Sequence, residues 1–215
     1  MTSLSLDISL YFVVGPSDCA GRPLVEVVEG ALKGGVTLLQ LRDKNMNEEA
    51  FIEVGKALLP LCRAYEVPLI VNDRLEAALA IGADGVHVGQ DDLGAAEVRA
   101  RLGNEGLLGV SAANPEELAR VPQEAVDYLG VGPINPTKSK GDAGAAIGPE
   151  GIAAMRALTA LPLVAIGGLG ASDAAAVIKA GAQGLAVVSA IAGAADPEVA
   201  ARNLREAIRQ ARDQV

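Results

Sequence analysis

The sequence predicts a single-domain (β/α)8 barrel, the TIM barrel architecture, extending over residues 1–215. Three observations favour it: eight short apolar runs, amphipathic helical stretches between them, and a helix-to-strand turn phrase that recurs along the chain. Alternating strands and helices are typical of a parallel sheet, and eight such units in 215 residues match a compact barrel. A doubly wound open sheet is the alternative, but no G-x-G-x-x-G motif follows the first strand.

Each predicted strand is nearly continuous in apolar residues, as expected for parallel strands that are buried on both faces. The eight runs are residues 9–15, 36–42, 68–72, 84–89, 107–111, 127–133, 162–168 and 184–189. Aromatic residues make up only 2% of the chain and tryptophan is absent, so we expect an aliphatic core.

The stretches between the strands repeat apolar residues at three- and four-residue spacing, which predicts helices with one buried face. The clearest are residues 48–65, 93–103, 114–121, 148–160, 171–181 and 196–214. Asn114 and Asp196 each precede a proline, which places a capping side chain before a proline in the first turn. Gly35, Gly82 and Gly181 stand where helices should end, within the similar phrases KGGVT, IGADGV and KAGAQGL.

Composition limits the classes of function. The net charge of −9 argues against non-specific nucleic-acid binding, which needs a basic surface. No uncharged apolar run is long enough to span a membrane, and residues 1–15 lack the basic start of a signal peptide. Cys19 and Cys62 have no metal-like spacing and are expected to be reduced. We therefore expect a soluble cytoplasmic protein that binds neither nucleic acid nor membranes, and the sequence leaves open whether it forms a homo-oligomer.

Polar residues follow several predicted strands at the end where a barrel forms its active site. After the second strand, Gln40, Arg42 and Lys44 alternate along the chain, which places the three side chains on one face. The third strand ends in Asn72, and the fifth ends in Ser111. A solvated loop would explain one such cluster, but it explains less well why several strands end this way.

Two aspartates suggest a metal site. Asp73 and Asp92 follow neighbouring strands, so their carboxylates should converge. Two carboxylates without Cys or His suit Mg²⁺, which keeps waters and takes phosphate oxygens as further ligands. The alternative is that each aspartate caps the helix that follows it. Arg42, Lys44 and Lys140 supply the opposite charge, and so many cations beside Mg²⁺ suit a diphosphate better than a monophosphate.

The turns after strands seven and eight are the usual phosphate site of this fold. Gly167 and Gly168 let backbone N–H groups approach phosphate oxygens closely. Ser189 adds a hydroxyl where a short helix should begin. An ordinary tight turn is the alternative for either motif alone.

The segment after strand six is long for a connection in this fold and is rich in Gly and Ala. It carries Thr137, Lys138, Ser139 and Lys140, and we expect it to form a mobile lid rather than an unstructured insertion. His87, the only histidine, lies within the fourth strand, where we expect a hydrogen-bonded structural residue rather than a base.

Motifs along the whole barrel resemble the thiamine-phosphate synthase family in order and spacing: QLRDK, VNDR, GVHVGQDD, GVS, GPINPTKSK, IGG and VVSAI. The resemblance implies a transferase with two small-molecule substrates, a pyrimidine diphosphate and a thiazole phosphate. It would join 4-amino-2-methyl-5-hydroxymethylpyrimidine diphosphate to hydroxyethylthiazole phosphate, with Mg²⁺-assisted dissociative loss of pyrophosphate. Such a reaction needs stabilisation of the leaving group and exclusion of water more than it needs a strong base.

The resemblance also implies roles for individual residues. The pyrimidine diphosphate would meet Gln40, Arg42, Lys44, Asn72, Ser111 and Lys140. Mg²⁺ would be held by Asp73 and Asp92. The thiazole phosphate would be held by Thr137, Ser139, Gly168, Val188 and Ser189. Catalytic roles are expected for Arg42, Lys44, Ser111 and Lys140.

Two positions depart from the family pattern. Asn135 stands where the family usually has an aromatic residue, which removes apolar cover from the expected lid. Ser139 stands where threonine is common, and it keeps the hydroxyl.

Three other functions remain as alternatives. A thiazole tautomerase or regulatory relative of the same fold would lack part of the diphosphate and Mg²⁺ set, which is present here. A sugar-phosphate isomerase or epimerase needs a proton-transfer pair in the barrel, and the sequence offers no convincing one. A non-catalytic binding protein would leave the convergent charges unexplained.

Overall fold

The predicted barrel is confirmed. A computed structural model describes residues 6–137 and 144–214. Each strand pairs in parallel with the next, and the eighth pairs with the first to close the barrel. The strands are β1 (Leu10–Val14), β2 (Leu38–Leu41), β3 (Leu69–Asn72), β4 (Gly85–Val88), β5 (Leu107–Ser111), β6 (Tyr128–Val131), β7 (Leu163–Ile166) and β8 (Gly184–Val187). Every predicted run contains its strand, and most extend a residue or two beyond it.

Helices surround the barrel. They are α1 (Leu24–Lys33), α2 (Glu48–Ala64), α3 (Leu75–Ile81), α4 (Ala95–Leu102), α5 (Pro115–Leu118), α6 (Gly148–Arg156), α7 (Ala174–Lys179), α8 (Ser189–Ala192) and α9 (Pro197–Arg212). The predicted caps are confirmed, because the side chains of Asn114 and Asp196 accept hydrogen bonds from backbone N–H groups in the first turns of α5 and α9. Helices α1 and α3 were not among the clearest predictions, since Pro23 and Arg74 precede them and neither side chain caps the helix.

The expected helix ends are also confirmed. Gly35, Gly82 and Gly181 all have positive φ just after α1, α3 and α7. In each case the backbone turns directly into the next strand, so the three similar phrases in the sequence correspond to one structural device.

The core has two layers, and alternation along each strand decides which layer a side chain enters. Leu10, Phe12 and Val14 face the helices, whereas Tyr11 and Val13 face the inside of the barrel. The expectation of an aliphatic core holds for most of the outer layer. The largest fully buried side chains are nevertheless aromatic: Tyr11, Tyr128, Phe12 and Phe51.

The barrel closes at a seam between its first and last units. Leu10 lies opposite Leu185, and Tyr11 lies opposite Ala186. Arg22 fastens this seam, because its guanidinium donates to the carbonyl of Ala194 at 2.8 Å and also to that of Ala192. Helix α9 packs on α1 and α7 across the same region.

Two further expectations concern cysteines and membranes. Cys19 and Cys62 are both buried free thiols, as expected for a reduced protein. Within residues 6–137 and 144–214, every helix is too short or too polar to cross a lipid bilayer.

Candidate active site

A cavity of about 660 Å³ opens at the carboxyl ends of the strands. Most of the predicted site residues line it: Gln40, Arg42, Lys44, Asn72, Asp73, Asp92, Ser111, Thr137, Gly168, Val188 and Ser189. Ser139 and Lys140 lie outside the described residues, as does the middle of the expected lid, so the roles expected for them stay predictions.

The end of β2 brings two cations into the cavity. Gln40 is buried in the barrel, and Arg42 and Lys44 follow on the same face, as their alternation predicted. The Arg42 backbone N–H donates to the Val14 carbonyl at 3.0 Å, which extends the pairing of β1 and β2 past the last strand residue. The charges therefore begin where the apolar barrel ends.

Arg74 holds the loop that carries Lys44. Its guanidinium donates to the carbonyls of Asp43 at 2.9 Å and Met46 at 2.7 Å. It also lies 4.5 Å from the centre of the Phe51 ring, a cation–π distance. Sequence reasoning missed this role. No local sequence pattern indicates the role of Arg74, because the carbonyls that it binds lie on another loop.

Asp73 and Asp92 come together as predicted, on the loops after β3 and β4. Asp73 has a left-handed backbone with φ of 59°, and its N–H donates to the His87 carbonyl at 2.9 Å. Asp92 accepts a hydrogen bond from the Gly89 N–H at 2.7 Å. The alternative that they cap helices is wrong, because Arg74 and Gly94 occupy the positions before α3 and α4.

The electrostatics of this pair fit a divalent cation. Burial and, after it, the neighbouring Asp92 carboxylate together raise the pKa of the Asp73 carboxyl to about 6, while Lys44 opposes the rise. A cation between the carboxylates would relieve their repulsion. In the described part of the chain, no three His, Cys, Asp or Glu side chains gather into a metal cluster. Carboxylate oxygens are ligands that Mg²⁺ takes, and water and phosphate oxygens would have to complete its shell at this pair.

Ser111 ends β5 and is held from two sides. Its hydroxyl lies 2.9 Å from His87 Nε2, and its carbonyl accepts from Gln90 Nε2 at 2.6 Å. Glu117 lines the cavity nearby and accepts from the Ala113 N–H at 2.7 Å. The expectation that His87 is hydrogen-bonded inside the barrel is confirmed.

The opposite side of the cavity has the predicted phosphate loops. Gly167 and Gly168 adopt positive φ values of 103° and 64°. A Cβ on Gly168 would lie 2.8 Å from the Pro136 carbonyl oxygen, so a larger residue would push the two loops apart. Ser189 begins the short helix α8, as expected. Backbone N–H groups and a hydroxyl are therefore available here for an anion.

Asn135 connects these loops instead of covering them. Its Nδ2 donates to the Gly168 carbonyl at 3.1 Å and to Asp173 Oδ1 at 3.0 Å. Asp173 also accepts from the Gly170 N–H at 2.8 Å. Where the sequence suggested only a loss of apolar cover, this chain has a polar clamp between the loops after β6 and β7.

Comparison with known proteins agrees with this arrangement. Residues 10–191 match the family described as thiamine monophosphate synthase. A thiamine-phosphate synthase from Azorhizobium caulinodans is 52% identical over 206 residues, covering 96% of this chain and 97% of the relative. One from Moorella thermoacetica is 49% identical over 203 residues, with 94% and 97% covered.

A solved structure agrees as well. Thiamine phosphate pyrophosphorylase from Pyrococcus furiosus superposes with a TM-score of 0.87 at 35% identity, covering 97% of this chain and 99% of that one. These similarities extend over the whole barrel, as the motifs in the sequence implied. The chain therefore belongs to the thiamine monophosphate synthase family and is a transferase of thiamine biosynthesis.

Proposed function

We propose that the protein joins 4-amino-2-methyl-5-hydroxymethylpyrimidine diphosphate to hydroxyethylthiazole phosphate, giving thiamine phosphate and pyrophosphate. One observation carries the proposal. Two cations, Arg42 and Lys44, and two carboxylates, Asp73 and Asp92, line one cavity opposite the Gly168 turn. This is the arrangement that a diphosphate leaving group and a separate phosphate would need.

Arg42 and Lys44 would bind the diphosphate and stabilise the negative charge that grows as pyrophosphate leaves. Asp73 and Asp92 would hold Mg²⁺, which supplies further positive charge to the leaving group when bound. Asn72 and Ser111 would orient the same substrate by hydrogen bonds. No strong base is needed, because bond breaking precedes attack in a dissociative reaction.

The thiazole phosphate would bind on the other side of the cavity. The backbone at Gly168 and the hydroxyls of Thr137 and Ser189 would hold its phosphate. This orientation would direct the thiazole nitrogen at the methylene carbon of the pyrimidine, while Val188 adds apolar surface that helps to keep water from the reactive cation.

The direct test is a coupled assay for pyrophosphate. Purified protein receives the pyrimidine diphosphate and MgCl₂, with and without the thiazole phosphate. We expect release only with both substrates, and none after EDTA is added. Tight binding of thiazole phosphate without release under any condition would instead favour a tautomerase or regulatory relative.

Paired variants test the metal assignment in the same assay. Asp92→Ala should lower turnover by at least about tenfold, because one of two charged ligands is lost. Asp91→Ala, which changes the adjacent carboxylate on the same loop, should cost much less. Equal losses in the two variants, or full activity of Asp92→Ala at limiting Mg²⁺, would contradict the assignment.

A further inference from the structure

A series of hydrogen bonds crosses the inside of the barrel at the floor of the cavity. Gln40 Nε2 donates to the Tyr11 hydroxyl at 2.6 Å, and the hydroxyls of Tyr11 and Tyr128 lie 2.8 Å apart. The Tyr128 hydroxyl lies 3.2 Å from His87 Nδ1, and His87 Nε2 lies 2.9 Å from Ser111 Oγ. This interior network therefore joins two cavity residues, one on β2 and one on β5.

Packing keeps the network in place. Tyr11, Tyr128 and His87 are 2%, 0% and 8% exposed. The Tyr128 ring packs edge-on against Tyr11, with centroids 5.8 Å apart, and lies 5.5 Å from the His87 ring. A Cβ on Gly109 would lie 2.2 Å from Tyr128 Cζ and 2.5 Å from His87 Nδ1, so the glycine makes room for both rings.

Counting donors and acceptors gives the network a direction. Gln40 Nε2 can only donate, so the Tyr11 hydroxyl accepts from it and donates to the Tyr128 hydroxyl. The Tyr128 hydroxyl in turn donates to His87 Nδ1. A neutral imidazole that accepts at Nδ1 carries its proton on Nε2, and His87 therefore donates to Ser111 Oγ. The Ser111 hydroxyl proton is left to donate to a group in the cavity.

The opposite order is also self-consistent. If the Gln40 amide turns so that Oε1 faces Tyr11, every bond in the network reverses. Ser111 then donates to His87 and offers only lone pairs to the cavity. The hydrogen-bonding character of Ser111 thus depends on the orientation of an amide on another strand.

We propose that Tyr11, Tyr128 and His87 are positioning residues that couple Gln40 to Ser111. The group bound at Gln40 then decides whether Ser111 donates or accepts. A diphosphate only accepts hydrogen bonds, so binding it at Ser111 requires the order in which the Gln40 Oε1 and second N–H face the ligand. This coupling deepens the proposed function and rests on it for the identity of the ligand.

The coupling would make the site selective for an amino heterocycle. An aminopyrimidine presents an exocyclic N–H beside a ring nitrogen, which complements the carbonyl oxygen and free N–H of Gln40. A pyrimidine with a carbonyl in place of the amino group would favour the opposite order and remove the Ser111 donor from the diphosphate. Whichever order the network takes, such a ring would therefore lose hydrogen bonds either at Gln40 or at Ser111.

The first test measures the His87 tautomer and needs no turnover. His87 is the only histidine, so protein labelled with ¹⁵N-histidine gives a single imidazole in the NMR spectrum. We expect the Nε2–H tautomer in the wild type. Gln40→Glu keeps the shape but can only accept when ionised, so at about pH 8 it should switch His87 to the Nδ1–H tautomer.

Gln90→Glu is the matched control, since Gln90 lines the same cavity and contacts the backbone carbonyl of Ser111 rather than the hydroxyl that ends the interior network. It should leave the Nε2–H tautomer in place. The same tautomer in the wild type and Gln40→Glu would overturn the coupling, as would a doubly protonated ring in Gln40→Glu. A switch in Gln90→Glu would overturn it too, because charge alone would then be responsible.

The second test uses kinetics. Tyr128→Phe breaks the network, so it should lower kcat/KM for the pyrimidine diphosphate about tenfold while leaving the KM for thiazole phosphate unchanged. In a Ser111→Ala background the same change should have less than about a twofold effect, since Tyr128 acts through Ser111. Equal losses in both backgrounds would mean a merely structural role and would overturn the proposal.

Tyr65→Phe, at an exposed tyrosine, controls for the loss of a hydroxyl. If Tyr128→Phe fails to fold, Tyr11→Phe breaks the network one step earlier and takes its place in the same cycle. The tautomer measurement remains valid even if the protein releases no pyrophosphate, which separates failure of this coupling from failure of the proposed function.

Discussion

Arg42 and Asp73 show how single residues at the ends of strands acquire their chemistry. Both follow directly after the last residue of a strand, so their backbones are fixed by the barrel while their side chains reach the cavity. For Asp73 the φ of 59° adds a further constraint, because it turns the chain sharply between β3 and α3. The barrel thus sets the position of each charge, and at Asp73 burial, followed by the neighbouring Asp92 carboxylate, raises the pKa of the carboxyl.

Arg42→Ala should weaken binding of one substrate much more than the other. A charge-assisted hydrogen bond to the diphosphate contributes about 1.5–3 kcal/mol, which corresponds to an increase of about 10- to 100-fold in the KM for the pyrimidine diphosphate. The KM for thiazole phosphate should change little. Initial rates with each substrate varied in turn measure both values, and equal increases would count against the position given to Arg42.

The raised pKa of Asp73 predicts a pH-dependent response to Mg²⁺. The folded carboxyl has a pKa of about 6, above its ordinary value of 3.8, so the metal-free fold binds an extra proton between these values. Its stability should therefore fall as the pH rises through this range. The same proton competes with the metal, so Mg²⁺ affinity should be about tenfold lower at pH 5 than at pH 7.

Melting temperatures at the two pH values, with and without MgCl₂, check this prediction. Mg²⁺ should raise the melting temperature at pH 7 much more than at pH 5. Asp73→Asn is the control, since it removes the titrating group and should abolish the difference. Equal stabilisation of the wild type by Mg²⁺ at both pH values would refute it.

At the scale of elements, two clamps hold the loops that carry the site. Arg74 fastens the β2–α2 loop to the start of α3, and Asn135 fastens the loop after β6 to the loop after β7. Both use side-chain nitrogen donors on backbone carbonyls of another loop. These loops lack the regular hydrogen bonds of helices and strands, so the two clamps hold them in place where a substrate would bind.

Arg74→Ala should both destabilise the protein and weaken diphosphate binding. The loss of two hydrogen bonds and the contact with Phe51 should lower the free energy of unfolding by about 2–4 kcal/mol. Urea denaturation measures this change. Arg101→Ala is the control, because Arg101 is an exposed partner of Glu76 and should cost less than about 1 kcal/mol. Similar losses in the two variants would contradict the clamp.

Asn135→Ala should weaken binding of thiazole phosphate by about three- to tenfold, because the loop that carries Gly168 loses one of the hydrogen bonds that hold it in place. Asn135→Asp should weaken it more, since a carboxylate would face the Asp173 carboxylate. Calorimetric titration with thiazole phosphate measures both. Tighter binding in either variant would show that the clamp restrains the loop from its binding geometry.

For the whole molecule, the sequence predicted the features that depend on short-range order. Gln40, Arg42 and Lys44 are spaced two residues apart along β2 and the segment after it. This spacing was enough to predict that all three side chains face the cavity, because side chains alternate between the two faces of a strand. The convergence of Asp73 and Asp92 was predictable for a similar reason, since the two residues follow strands that are neighbours in both sequence and space.

The remaining features depend on how distant strands meet. Tyr11 and Tyr128 come from β1 and β6, and nothing in either local sequence indicates that their hydroxyls bond inside the barrel. The hydrogen bonds of Asn135 were not predicted because its partners, Gly168 and Asp173, lie on the loop after the next strand. Such contacts follow from register and closure rather than from periodicity.

The seam between β1 and β8 has a consequence for synthesis on the ribosome. Leu10 is synthesised long before its partner Leu185, and Arg22 long before the carbonyls that it binds. Until β8 has been made, one edge of β1 has no permanent neighbour, and exposed strand edges invite association with other chains. The barrel, and with it the cavity at the ends of its strands, can therefore be completed only after β8 has left the exit tunnel.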